Sequence, residues 1–162
     1  MGGNFVRLIF LVMLPAFAIA SVEVPPLRTP VTDQAGILSR QAEEQLNSLL
    51  QSLSSRSTTQ LAVLTVPTLD GEPIESFSIR VVDQWKLGQE KSDRGVLLII
   101  AMRDRKMRIE VGQGLEGDLP DAYARRIVDH MTPAMRAGQY DRAVQQAVVG
   151  ILERVEPKFL ES

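Results

Sequence analysis

Seven carboxylates fall where the chain is expected to turn: Asp33, Asp70, Asp93, Asp104, Glu116, Asp118 and Asp121. Calcium and magnesium are hard cations that want several oxygen ligands, so loop carboxylates next to backbone carbonyls suit them. Loops also carry acids for solubility, and Asp118 has the further option of capping a helix. Few other chemistries can be assembled. The 162 residues include no cysteine, which removes disulfide scaffolds, thiolate zinc sites, iron–sulfur clusters and cysteine nucleophiles together. The single histidine, His130, excludes any site that needs two imidazoles, and no serine is placed as an elbow nucleophile for it. There is no G-x-x-x-x-G-K-S/T phosphate loop, and no Asp-x-Asp pair offers an aspartyl-phosphate nucleophile. Gly112-x-Gly114-x-x-Gly117 has dinucleotide-loop spacing, but it follows a strand outside any β-α-β unit and reads as a tight turn into a helix. Arg105 and Arg108 could clasp a phosphate. On a short hairpin they read first as solvated charge. Trp85, on an apolar stripe, reads as a core anchor.

The elements that must position these groups follow from periodicity. Ala42, Leu46, Leu49, Leu50 and Leu53 repeat at helical spacing behind a capping Ser39. Leu61–Val66 reads as a strand ended by Pro67. Ile74, Phe77, Val81, Val82 and Trp85 make a second helical stripe. Val96–Ala101 is apolar throughout, as in a central strand buried on both faces. Arg103–Lys106 is a hairpin tip, and Met107, Ile109 and Val111 then alternate with Arg108 and Glu110. Asp118 and Pro120 open a third helix that Pro133 is expected to interrupt, and Tyr140–Val155 carries a fourth stripe. The order helix-strand-helix-strand-strand-helix-helix implies a sheet covered on both sides. Its first two strands should be parallel, through a right-handed crossover, with the third returning antiparallel.

That topology sorts the acids. Asp33, Asp70 and Asp104 gather at the carboxyl edge of the parallel strands, the edge ligands favour in open α/β sheets. Asp93, Glu116, Asp118 and Asp121 gather at the opposite edge.

Composition bounds the rest. Hydrophobic residues make up 44% and charged residues 23%, an ordinary globular balance for one domain plus a removable segment. The net charge of −2 leaves no basic footprint for nucleic acid. Met1–Ala20 has no acid, one base (Arg7), an apolar block from Leu8 and the ending Ala18-Ile19-Ala20 before Ser21, which reads as a secretory signal peptide. Its apolar stretch is about a dozen residues, where a spanning helix needs roughly 20. The mature chain is therefore expected in the periplasm or secreted, without a transmembrane segment. Residues 21–30, with Pro25, Pro26 and Pro30, read as an extended leader that spaces the domain. Residues 31–155 are the domain and 156–162 a short polar tail.

Val31-Thr32-Asp33-x-Ala35-Gly36, Gln60–Val66, Trp85-x-Leu87-Gly88 and Asp93-Arg94-Gly95-Val96-Leu97-Leu98-Ile99 resemble the TPM domain. So do Asp104-Arg105-x-x-Arg108 through Gly117, Leu119-x-Asp121 and Gly138-x-Tyr140. The resemblance spans about residues 31–152. It implies a three-layer α/β/α sandwich, here a small mixed sheet covered by about four helices. The family includes secreted or periplasmic bacterial proteins, animal receptor-associated proteins and a thylakoid lumen acid phosphatase, and some members bind calcium or related cations. Most bacterial members carry a transmembrane helix and a glycine-rich tail after the domain, which do not follow here. Gln113 stands where an aromatic is common. Their place at the carboxyl edge puts Asp33 and Asp104 first as metal ligands, and both also fall in the family's motifs, with Asp93, Glu116 and Asp121 as the second set. The expected function is an exported accessory or binding module of the cell envelope, divalent-cation dependent, with envelope or membrane proteins as partners. The alternative is a metal-dependent phosphatase.

Overall fold

The computed structural model describes residues 21–88 and 92–161. The signal-peptide reading of residues 1–20 lies outside them. In chain order the elements are β1 (Val31–Asp33), α1 (Arg40–Arg56), β2 (Gln60–Val66), α2 (Ile74–Trp85) and β3 (Gly95–Ala101). β4 (Lys106–Val111), α3 (Asp121–Arg136), α4 (Tyr140–Val155) and a short α5 (Pro157–Leu160) follow. The sheet order is β1-β2-β3-β4, with β1, β2 and β3 parallel and β4 antiparallel to β3.

β3 is buried at every residue, because helices cover both its faces and strands flank both its sides. Alternation along the strands divides the core in two. Leu61, Val63, Val96, Leu98, Ile100 and Ile109 face a layer made of α1, α3 and α4. Ala62, Leu64, Val66, Leu97, Ile99 and Ala101 face α2. The result is the expected three-layer α/β/α sandwich. No described helix is long and apolar enough to cross a membrane.

Several local expectations are corrected. Asp33 and the residues before it are not simply a leader and a turn: Val31–Asp33 pairs with Val63–Thr65 as a fourth strand. Three residues are too few to show periodicity, so only the parallel partner reveals the strand. The leader does not space the domain either. Val24 is buried on the α2 face, and Pro25 O accepts a 2.7 Å hydrogen bond from Trp85 Nε1, which makes Trp85 the anchor of that segment. Glu72 and Arg80 fasten the same stretch. Arg80 donates at 2.7 Å to both Glu72 Oε2 and Val22 O, and Val22 N donates to Glu72.

α3 runs straight through Pro133. The proline forfeits one intrahelical N–H, but Ile127, Met131 and Ala134 are held against Val144, Val148 and Ile151 of α4, and that burial outweighs the lost bond. Asp118 does not cap α3; Pro120 takes that position without a side-chain bond, and Asp118 lies 3.8 Å from Arg94 instead. Ser39 caps α1 as expected, its Oγ accepting from Ala42 N at 3.2 Å. The polar tail is tied in through Glu156, which accepts from Thr59 Oγ1 at 2.6 Å.

The two margins of the sheet differ. β1 is only three residues long, and the outward groups of Val31 are taken by side chains: Val31 N donates to Asn47 Oδ1 at 2.9 Å, and Thr29 Oγ1 donates to Val31 O at 2.8 Å. β4 has no counterpart of either contact among the described residues.

Candidate functional site

Asp33 and Asp104 do reach the same sheet edge. Asp33 ends β1, level with Thr65 of β2, and Asp104 sits in the turn between β3 and β4. Both carboxylates hold the chain around the end of β2. Asp33 accepts from the Thr65 hydroxyl, from Ile37 N at 3.2 Å and from Leu38 N at 2.9 Å. Asp104 accepts from Leu69 N at 2.9 Å. Asp70, nearby, is exposed.

At the opposite edge Asp93 accepts from Gln113 N at 3.0 Å, while its own carbonyl takes Gly114 N at 3.1 Å. Glu116 is exposed there. Asp121 is not with them: it opens α3 beside Arg108, facing β4. Among the described residues no three acidic or histidine side chains are grouped so as to hold a metal ion. The glycine motif also finds its explanation here. A side chain at Gly112 or Gly114 would collide with the backbone of Asp93 or Ser92, so these glycines serve a close crossing of two loops.

A concave feature runs along β4. α2 lies over one face of this marginal strand and α3 over the other, so the edge itself forms the floor between two helical walls. At the hairpin end the groove encloses about 880 Å³ among Ile100, Met102, Met107, Val128 and Met135, rimmed by Arg105, Lys106 and Arg136. Glu75 is the acid there, with Thr132 and Tyr140 as hydroxyls. Farther along, a smaller space of about 210 Å³ is lined by Met107, Arg108 and Ile109 of β4 and by Asp121, Arg125 and Asp129 of α3.

The floor has a defined hydrogen-bond parity. Gly112 N donates to Gly95 O at 2.8 Å, so alternation makes Leu97–Glu110, Ile99–Arg108 and Ala101–Lys106 the bonded pairs of the ladder. The N–H and C=O groups of Met107, Ile109 and Val111 therefore point away from β3, into the groove, and no described residue bonds them. On the α2 face, Glu110 Oε2 accepts from Ser78 Oγ at 2.8 Å and from Arg108 Nε at 2.7 Å. The Glu110 carboxylate beside it strengthens the hold of the Arg108 guanidinium on its proton, with Glu75 and Asp121 adding to the field. The polar side chains at the floor are thus fixed in place.

The acids were visible in the sequence; the groove was not. Arg105 and Lys106 are thirty residues from Arg136, and only the packing of α3 across β4 joins them. The one available signal was the alternation of Met107, Ile109 and Val111 on a strand with no successor.

Comparison with known proteins agrees with this architecture. A family model described as the TPM domain matches residues 31–154. The N-terminal domain of a protein from P. gingivalis is 34% identical, with a TM-score of 0.73 over 81% of this chain and 84% of that one. The N-terminal domain of the cg2496 protein from Corynebacterium glutamicum is 12% identical, with a TM-score of 0.61 over 85% and 88%. The BA42 protein from Bizionia argentinensis is 13% identical, with a TM-score of 0.57 over 73% and 83%. The last two show likeness of fold alone. No curated protein matches the chain.

Proposed function

The chain belongs to the TPM domain family, and on that footing we propose that it is an exported accessory module that holds a segment of an envelope or membrane protein in the groove beside β4. The observation that carries this reading is the groove: an apolar floor of methionine and isoleucine, a basic rim at one end and an open strand edge along its length. Concave, mostly apolar sites with a few convergent polar groups are where ligands bind. Methionines suit such a surface because their flexible side chains repack around different partners. Export rests on the apolar block and Ala-x-Ala ending of residues 1–20. A divalent cation at the edge of Asp33 and Asp104 would tie together the loops that follow β1 and β3, where Asp104 already holds Leu69.

A metal-dependent phosphatase is the second reading, favoured by the convergence of Arg105, Lys106 and Arg136, which could hold phosphoryl oxygens. The test is a photo-crosslinking residue placed in cells at Met107, and separately at Val149 on α4 outside the groove. A defined envelope protein joined through Met107 and not through Val149 is the expected result. Equal labelling at both positions, or none, refutes the module. Phosphate release from p-nitrophenyl phosphate by the same protein, lost in Arg136→Glu, would favour the enzyme.

A further inference from the structure

Resting on that binding-module reading, we propose that the groove takes the C-terminal tail of a partner protein as a fifth strand, antiparallel to β4, with the terminal carboxylate against Arg105, Lys106 and Arg136. Three independent features meet here. The first is the edge. The outward N–H and C=O groups of Met107, Ile109 and Val111 are unpaired among the described residues, whereas the other margin is a three-residue strand on which Asn47 and Thr29 take the outward groups of Val31. Open edges are templates for another strand, and proteins that do not use them cover them.

The second is the pair of walls. An added strand would lie about 4.8 Å beyond β4 and send alternate side chains to opposite faces. Those turned toward α3 meet the apolar Met107, Ile109 and Val128, with Asp121, Arg125 and Asp129 of that helix beside them at the far end. Those turned toward α2 pass Arg108 and Glu75, with Ile79, 52% exposed, one helical turn past Glu75 on the same helix face. The occupant is therefore an alternating segment with its apolar residues toward α3.

Charge fixes the direction. β4 runs away from the hairpin, so an antiparallel guest runs toward it and ends at the three cations. Glu75 is the acid at that end. The far end mixes Asp121 and Asp129 with Arg108 and Arg125 and suits uncharged chain. A carboxylate on guanidinium groups makes the strong, charge-assisted kind of hydrogen bond.

The probe is a random decapeptide library displayed with free C-termini and selected on the purified protein. Enriched peptides should alternate apolar and polar residues, and should slow hydrogen exchange at the amides of Met107, Ile109 and Val111. Amidating the terminus, or Arg136→Glu, should weaken binding about tenfold or more. Met107→Pro deletes an outward N–H without touching the β3 ladder and should abolish binding while cooperative unfolding is kept. If that variant does not fold, Val111→Pro makes the same test at the strand end. The proposal is overturned if nothing is enriched, if the enriched peptides leave those three amides unprotected, or if amidation has no effect. It is also overturned if sedimentation finds a dimer whose edge amides are already protected, since a second copy then fills the edge. Groove-specific crosslinks without protection of these amides would keep the binding module and remove strand addition.

Discussion

Asp33→Ala deletes the acceptor of three donors at once: the Thr65 hydroxyl and the backbone N–H groups of Ile37 and Leu38. A hydrogen bond to a charged group contributes about 1.5–3 kcal/mol, and a buried donor left unpaired costs about 1–3 kcal/mol. Asp33 is half-buried, so water can replace part of what Ile37 and Leu38 lose. Thr65 is fully buried and has no such relief. The expected loss is about 2–4 kcal/mol, or roughly 5–15 °C in Tm for a domain of this size. Asp33→Asn keeps one oxygen for Thr65 and Ile37 but turns an NH2 toward Leu38 N–H, so about half the loss should remain. Urea unfolding followed by fluorescence suits the measurement, because Trp85 is the only tryptophan and 7% exposed. Run with chelator and again with calcium, the same experiment separates two roles. A carboxylate that serves only the backbone gives the same loss in both; one that also holds a cation gives a larger loss with calcium, because only the wild type gains from binding. Unchanged unfolding midpoints for both variants would refute the reasoning.

Leu98→Ala, at the centre of β3 and fully buried, should cost about 2–5 kcal/mol in the same assay. If the Asp33–Asp104 edge binds a divalent cation, Asp104→Asn should reduce the calcium-dependent rise in Tm and Asp93→Asn should not; equal effects would put the ion elsewhere. The Arg80 guanidinium beside Glu72 holds its carboxyl below the ordinary value of 4.5, against the opposing effect of burial. The stability this adds is complete above pH 4.5 and lost as pH falls through the lowered folded value, so Glu72→Gln should flatten the acid limb of a pH–stability curve below 4.5. Mass spectrometry of the exported protein should find Ser21 at its N-terminus; full-length chain in the membrane fraction would contradict cleavage.

The layers of the fold were legible because they rest on long periodic signals. An apolar run such as Val96–Ala101 has one natural place, the middle of a covered sheet, and the helical stripes supply the cover. What local sequence does not reveal is short or non-local. β1 is three residues whose strand character exists only through pairing with Val63–Thr65. Pro133 carries a local penalty that burial against α4 overrides. Topology alone places the acids at the edges they occupy, except Asp121, which the path of α3 carries toward β4. Their partners could not be read, since whether a carboxylate faces a cation or an N–H group depends on the turns of loop around it. The groove exists only where α2 and α3 overhang the last strand, a relation between segments far apart in sequence.

The unequal margins of the sheet also bear on how the molecule behaves when crowded. A sheet with two live edges can polymerise, because every copy that joins leaves a fresh edge behind. Here one side is only three residues long, and Asn47 and Thr29 occupy the outward groups of Val31 there. Two copies meeting at β4 would use up the open edge of each and stop at a pair. An edge left open on the β4 side alone therefore need not nucleate a fibre, since growth has little to continue on once that edge is filled.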